Sequence, residues 1–241
     1  MIHHDAFAVH GLDGLTALVT GAGGVIGQSI ADELARQGAR VCRADLQAPT
    51  EPGVYGVSMD VTSEESVDSA FQQTETDLGP VDVLVNAAGV FKIESIESMS
   101  RTTWDQIVAV NLTGFFLTAR RALPSMAQRG AGRVVEIGSS AGKTGGALNV
   151  GAYAAAKAGA MALTKSLAKE YASRGVTVNA LAPAMIDTPM IDDMRDLVDR
   201  IPVGRLGTAA DIAAVVAFLC STHGSFITGE VVDVNGGFLI D

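Results

Sequence analysis

Apolar residues fall into two alternating patterns along the 241-residue chain. Short runs rich in Val, Ile and Leu occupy residues 16–20, 40–44, 54–58, 81–86, 133–138, 176–181 and 231–234 and read as strands. Several lack the polar alternation of a half-exposed strand, which fits strands buried on both faces. Between them, residues 26–37, 63–78, 102–128, 152–173 and 209–221 read as helices. Strand–helix alternation implies right-handed parallel crossovers, hence an α/β fold built on a doubly wound parallel sheet with helices on both faces. One connection departs from the pattern. Residues 46–54 carry Pro49, Pro52 and Gly53 and are too short and too broken for a crossover helix, so a loop is expected there.

Composition narrows the class. Hydrophobic residues make up 48% of the chain, enough to bury a sizeable core. No Pro/Ser-rich linker, repeat or charge block divides it, so a single domain over 15–241 is expected, with 1–14 as an N-terminal extension. Seventeen basic against 27 acidic residues leave a net charge of −10, which argues against nucleic acid or an anionic membrane as partner. Residues 1–10 show no basic region leading into an apolar one, and the longest apolar run, 212–220, is far short of the roughly 20 residues of a membrane span. A cytoplasmic protein is the expectation. Two cysteines, Cys42 and Cys220, supply neither a disulfide framework nor a Cys-based zinc site; no metal is expected, and both thiols read as small buried hydrophobes.

Ligands of an open α/β sheet bind beyond the carboxyl ends of its strands, so the residues after each strand carry the chemistry. After the first strand comes Thr20-Gly21-Ala22-Gly23-Gly24-Val25-Ile26-Gly27, where glycines admit a pyrophosphate to the backbone and a helix start offers unpaired N–H groups. Asp45 ends the second strand; a carboxylate there can accept both ribose hydroxyls of an adenosine and would repel a 2′-phosphate, which favours NAD over NADP. Arg43 could pair with such a phosphate, or be a solvated strand-end arginine. Asp60 follows the third strand, and Asn86-Ala87-Ala88-Gly89 the fourth, where small residues leave room for a flat ring.

Tyr153 and Lys157 stand one helical turn apart on one face. Three tyrosines and five lysines in 241 residues would give about 0.06 such pairs by chance. A neighbouring ammonium favours phenolate, so the pair can exchange a proton near neutrality. Ser139, with Ser140 as runner-up, ends the fifth strand on the same sheet edge and could hydrogen-bond a substrate carbonyl. Asn111 lies inside a long helical pattern, where Asn is unfavourable; it is expected to hold a water, bend the helix or face solvent.

Taken in order, these motifs resemble the short-chain dehydrogenase/reductase family, in particular its 3-oxoacyl-carrier-protein reductase and sugar/alcohol dehydrogenase branch. The resemblance runs from about Leu15 to Gly237 and includes Ile201-Pro202-Val203-Gly204-Arg205 and Ile227-Thr228-Gly229-Glu230. It implies a Rossmann-like domain and hydride transfer between NAD and a secondary alcohol or ketone. Tyr153 would be the acid/base, and Lys157 would assist it and hold the nicotinamide ribose. Ser139 would orient the carbonyl, and Asn111 would sustain a water-linked proton relay. Gly21, Gly23, Gly24, Val25, Ile26 and Gly27 would bind the pyrophosphate, Asp45 the ribose, and Asp60 and Val61 the adenine. Asn86, Ala87, Ala88 and Gly89 would flank the adenosine side, Ile186 and Thr188 would lie near the nicotinamide amide, and Pro183 would also bind the cofactor. Val25 stands where the family usually has its second glycine, and Ser139 and Tyr153 are fourteen apart, one more than in many relatives.

For the substrate, a small free alcohol, polyol or ketone competes with a carrier-bound 3-oxoacyl group, for which Arg129 and Arg174 could form a docking patch. A non-catalytic dinucleotide sensor is the reading from another class. Residues 185–200, with Met185, Met190, Ile191 and Met194 among aspartates, suit a lid or an amphipathic surface helix. The resemblance also implies a homotetramer, built on the helices 102–128 and 152–173 and the C-terminal segment.

Overall fold

The computed structural model describes residues 11–189 and 198–240. Seven strands form one parallel sheet in the order β3-β2-β1-β4-β5-β6-β7. They are β1 (Thr16–Thr20), β2 (Arg40–Asp45), β3 (Tyr55–Ser58), β4 (Val83–Asn86), β5 (Gly132–Ile137), β6 (Val176–Pro183) and β7 (Val231–Val234). All seven expected strands are present. The order reverses between β1 and β4, and the cleft at that reversal is where such sheets bind their ligands. As expected, no helix joins β2 to β3.

Helices cover both faces: α1 (Val25–Arg36), α2 (Glu64–Asp77), α3 (Arg101–Val108), α4 (Gly114–Arg129), α5 (Ala141–Thr144), α6 (Gly151–Tyr171) and α7 (Ala209–Cys220). Alternation along each strand divides the core. Leu18, Leu84, Val134 and Val178 pack toward α2, α4 and α6, whereas Ala17, Val19, Val85 and Val135 pack toward α1 and α7. Both cysteines are buried, and burial pushes their thiols up, Cys42 to about 11 and Cys220 to about 12.

Two expectations shift. Leu12 is fully buried in the α1/α7 core, so the packed body begins inside the expected extension. The single helix expected over 102–128 is two helices joined by a π-helical turn, Ala109–Thr113. Asn111 lies at its centre, 1% exposed rather than solvent-facing. Its amide nitrogen donates to the carbonyls of Val90 and Ile107, both at 2.9 Å, and its oxygen accepts from the Val90 N–H at 3.3 Å. By taking the Ile107 carbonyl, which an α-helix would pair with its own backbone, the side chain favours the wider turn. Among the described residues, no helix is long and apolar enough to cross a membrane.

Candidate active site

β1 leads into the glycine loop and then α1. Gly21 has φ 64°, and a Cβ on it would lie 2.6 Å from the Ala88 nitrogen; a Cβ on Gly27 would lie 2.2 Å from the Gly21 carbonyl oxygen. Bare backbone at these two positions lets the loop, α1 and the 86–89 turn close on one another. Val25 needs no such closeness, since it is 45% exposed and borders the groove. α1 begins at Gly24 with no side-chain cap, while Ser63, Ser100 and Thr208 cap α2, α3 and α7. Its first turn lines the groove, presenting N–H groups and a positive dipole end.

Asp45, at the end of β2, accepts from the Gly23 N–H at 2.9 Å and the Leu46 N–H at 2.8 Å. Arg43 is neither solvated nor turned to the groove: it is buried and paired with Asp32. Asp60 accepts from the Thr62 N–H and hydroxyl at 2.9 and 2.7 Å, and Val61 packs beside Gly114. The glycine loop, Asp45, Asp60, Val61, Ala87, Ala88, Gly89 and Thr188 border a groove of about 710 Å³. Asn86 is not in that lining. It lies one layer below, 4% exposed, its oxygen accepting from the Thr118 hydroxyl at 2.6 Å. Bare glycine backbone, an uncapped helix start and a strand-end carboxylate fit a dinucleotide.

At the other end of the groove, β5 delivers Ser139 and the first turn of α6 delivers Tyr153. The Ser139 hydroxyl accepts from the Ala141 N–H at 3.1 Å. The Tyr153 ring meets Phe91 edge-on, with centroids 5.0 Å apart. Lys157 is buried; its ammonium donates to the Ile137 carbonyl at 2.5 Å and to Glu136 Oε1 at 3.3 Å. A Cβ on Gly89 would meet Asn111 Oδ1 at 3.0 Å and Lys157 Nζ at 3.8 Å, so this glycine brings the two polar groups to one spot. A cavity of about 100 Å³ gathers Ile26, Ala87, Gly89, Asn111, Ser139, Tyr153, Lys157, Pro183, Ile186 and Thr188. It adjoins an outer cavity of about 370 Å³ bounded by Phe91, Val150, Met185, Arg200 and Phe238. Ser139 and Tyr153 line both cavities, and Ser140 only the outer one, which favours Ser139 as the orienting hydroxyl.

Glu136 is a site residue the sequence reading passed over, although a carboxylate inside the apolar run Val134–Ile137 was a signal. It is 1% exposed, and burial pushes its carboxyl up to about 7 despite the opposing Lys157 charge. Phe91 and Phe238 were also unanticipated, whereas Arg200 is the last residue of the expected lid. Arg129 and Arg174 lie away from the mouth of this site. They immediately precede β5 and β6, at the amino edge of the sheet, opposite the carboxyl-end cleft. Of the expected lid, residues 190–197 lie outside the described residues; Met185 packs on Ile201, Leu206 and Phe238. Among the described residues, no cluster of His, Cys, Asp or Glu is placed to hold a metal ion.

Comparison with known proteins agrees with this geometry. Residues 21–239 match the family described as Enoyl-(Acyl carrier protein) reductase. The chain is 39% identical to the 3-oxoacyl-[acyl-carrier-protein] reductase FabG of Vibrio cholerae, over 94% of this chain and 98% of that one. It is 41% identical to the corresponding Aquifex aeolicus reductase, over 94% and 98%. The ligand-free aldohexose dehydrogenase of Thermoplasma acidophilum superposes with a TM-score of 0.89 at 32% identity, covering 94% of each chain. With the fold, the glycine loop and the Ser139–Tyr153–Lys157 constellation in place, the chain belongs to the short-chain dehydrogenase/reductase family and is an oxidoreductase acting on CH–OH groups.

Proposed function

We propose that the protein interconverts a secondary alcohol and its ketone with NAD(H), on a small free alcohol, polyol or ketone. The observation that carries this reading is the placement of Ser139 and Tyr153 on the wall shared by the inner and outer cavities. When bound, the dinucleotide supplies or accepts the hydride. The glycine loop and the first turn of α1 would hold its pyrophosphate, Asp45 its adenosine ribose, and Lys157 its nicotinamide ribose. Ser139 donates to the substrate oxygen and orients it. In reduction Tyr153 gives its proton to that oxygen; in oxidation its phenolate takes the proton back, with Lys157 favouring the phenolate in both directions. Asn111, fixed by Val90 and Ile107, borders the same cavity and would carry the water-linked relay.

Asp45 supports NAD over NADP, and Arg43, committed to Asp32, is no partner for a 2′-phosphate. Among the described residues the walls of the outer cavity are mainly apolar, with Arg200 as their one charged side chain, which suits a small substrate with few charges. Carrier-bound 3-oxoacyl reduction is the second reading, favoured by the 39–41% identity to carrier reductases. A homotetramer accords with the exposed Phe116 on α4 and Phe226 near the C-terminus. Light scattering on the purified protein at micromolar concentration tests it, a monomer overturning it.

The deciding experiment offers purified protein NADH and NADPH with a panel of free ketones and an acetoacetyl-carrier substrate. Turnover of a free ketone, with kcat/KM for NADH at least ~10-fold above NADPH, is expected. Equal use of NADPH overturns the role of Asp45, and turnover of the carrier substrate alone selects the second reading. Tyr153→Phe should lower kcat by ~10³-fold or more while NADH still binds. Binding without turnover across the panel would instead make the chain a dinucleotide sensor.

A further inference from the structure

Family membership accounts for Tyr153, Lys157, Ser139 and Asn111, but not for an acid buried behind them. Glu136 reaches Lys157 from the penultimate position of β5, with side-chain exposures of 2% and 5% for the pair. An ammonium has three N–H donors. Ile137 O takes one at 2.5 Å and Glu136 Oε1 a second at 3.3 Å, leaving one for the cavity that Tyr153 shares. Glu136 stands directly opposite Asn86 in the β4/β5 register. Among the described residues Glu136 Oε2 and Asn86 Nδ2 find no hydrogen-bond partner, and the two residues border one gap beneath the catalytic cavity.

We propose that Glu136 is a positioning residue of the proton-transfer pair: its buried carboxyl holds the Lys157 ammonium in place and, by keeping or losing its own proton, sets how much of the ammonium's charge acts on Tyr153. This rests on the reading of Tyr153 as the acid/base.

Among the described residues Lys157, from α6, is the one charge that bears on this carboxyl. The other polar groups bordering the gap, Thr20 on β1, Asn86 on β4 and Asn111 on the π turn, do not titrate near neutrality. The carboxyl changes charge in the range where dehydrogenases work, being pushed up to about 7 by burial. Below that pH it is neutral and the ammonium acts on the phenol undiminished. Above it, the carboxylate offsets part of the ammonium's charge and disfavours the phenolate. Alcohol oxidation, which needs phenolate, is held back, and ketone reduction, which needs phenol, persists to higher pH.

The test is the pH profile of kcat/KM for alcohol oxidation in wild type, Glu136→Gln and Glu136→Asp. Glu136→Gln should move the acid limb down by about one pH unit, the effect of one unit charge a short distance away. Glu136→Asp should return it toward wild type. A structural role alone would lower Tm and the plateau but leave the limb where it is, and that result overturns the proposal. A second readout needs neither cofactor nor turnover. Infrared difference spectra of the cofactor-free enzyme should show a carboxyl band titrating near neutrality, absent in Glu136→Gln and moved to higher pH in Lys157→Met. A band that ignores Lys157, or no such band, also overturns it. If the wild type turns over no alcohol or ketone, the infrared arm still reads the coupling, so failure of the functional reading is told apart from failure of this one.

Discussion

Two helices pack side by side on the same face of the sheet, α1 and α7, and they begin in opposite ways. α7 starts with a complete capping box: the Thr208 hydroxyl accepts from the Asp211 N–H, and the Asp211 carboxylate accepts from the Thr208 N–H at 2.7 Å. Arg205 adds two more bonds to that carboxylate, at 2.7 and 3.0 Å. α1 starts on glycine with no side-chain cap and no acid in its first turn. Local stability would favour a cap in both places. Its omission where the groove runs, and its completion where α7 begins, are what an anion site at the start of α1 would require.

Gly27→Ala breaks the comparison hardest, because its Cβ would sit 2.2 Å from a backbone oxygen that cannot move aside cheaply. A loss of about 3 kcal/mol or more in stability is expected, together with loss of NADH binding; calorimetry and NADH fluorescence check both. Gly24→Asp sharpens it. Gly24 has ordinary extended φ and ψ, and a Cβ there would lie 3.4 Å from the Gly21 oxygen, so a side chain fits. The variant should gain up to about 1 kcal/mol as a capped apo-protein and bind NADH ~10-fold or more weakly, since a carboxylate would take the place meant for a phosphate. Stability and affinity that rise together would refute the idea that the open start serves an anion.

Thr208→Ala should cost about 1 kcal/mol by thermal or urea unfolding and leave kcat/KM unchanged. Asp211→Asn is the smallest effect, about 0.5 kcal/mol at neutral pH for a largely exposed pair. Arg205 first of all, with the Thr208 bonds, holds the Asp211 carboxyl well below the usual carboxylate range. A carboxyl lowered by folding stabilises above its ordinary value of 3.8 and loses that contribution as pH falls toward the lowered one. The gap between wild type and Asp211→Asn should therefore hold from pH 7 to about 4 and close in stronger acid. A gap that closes already near pH 6 would mean another group is responsible.

Much of this was legible in the chain, because the strands are buried on both faces and announce themselves as unbroken β-branched runs. The loop between β2 and β3 could be read from Pro49, Pro52 and Gly53, and Tyr153 with Lys157 from spacing alone. What stayed hidden depends on partners far apart in sequence. Nothing local to Asn111 shows that Val90 will supply both a donor and an acceptor 21 residues away and open the helix there. Arg43 could not be assigned without seeing α1 bring Asp32 beside it. Glu136 was visible as a letter, but its role exists only once α6 lays Lys157 across β5. Asn86 carried the family motif yet turned inward, because Thr118 waits for it on α4.

The π turn at Ala109–Thr113 also sets a phase. Each residue added to or removed from an α-helix rotates everything beyond it by about 100°. The wide turn holds one residue more than a regular helix would, so every side chain of α4 is aimed by that surplus. Deleting one residue from the turn would leave α3 in place and swing Phe115, Thr118 and Leu123 out of the core, presenting a different side of α4 to the sheet and to any neighbouring subunit. A change of length in this segment would therefore re-aim the whole of α4.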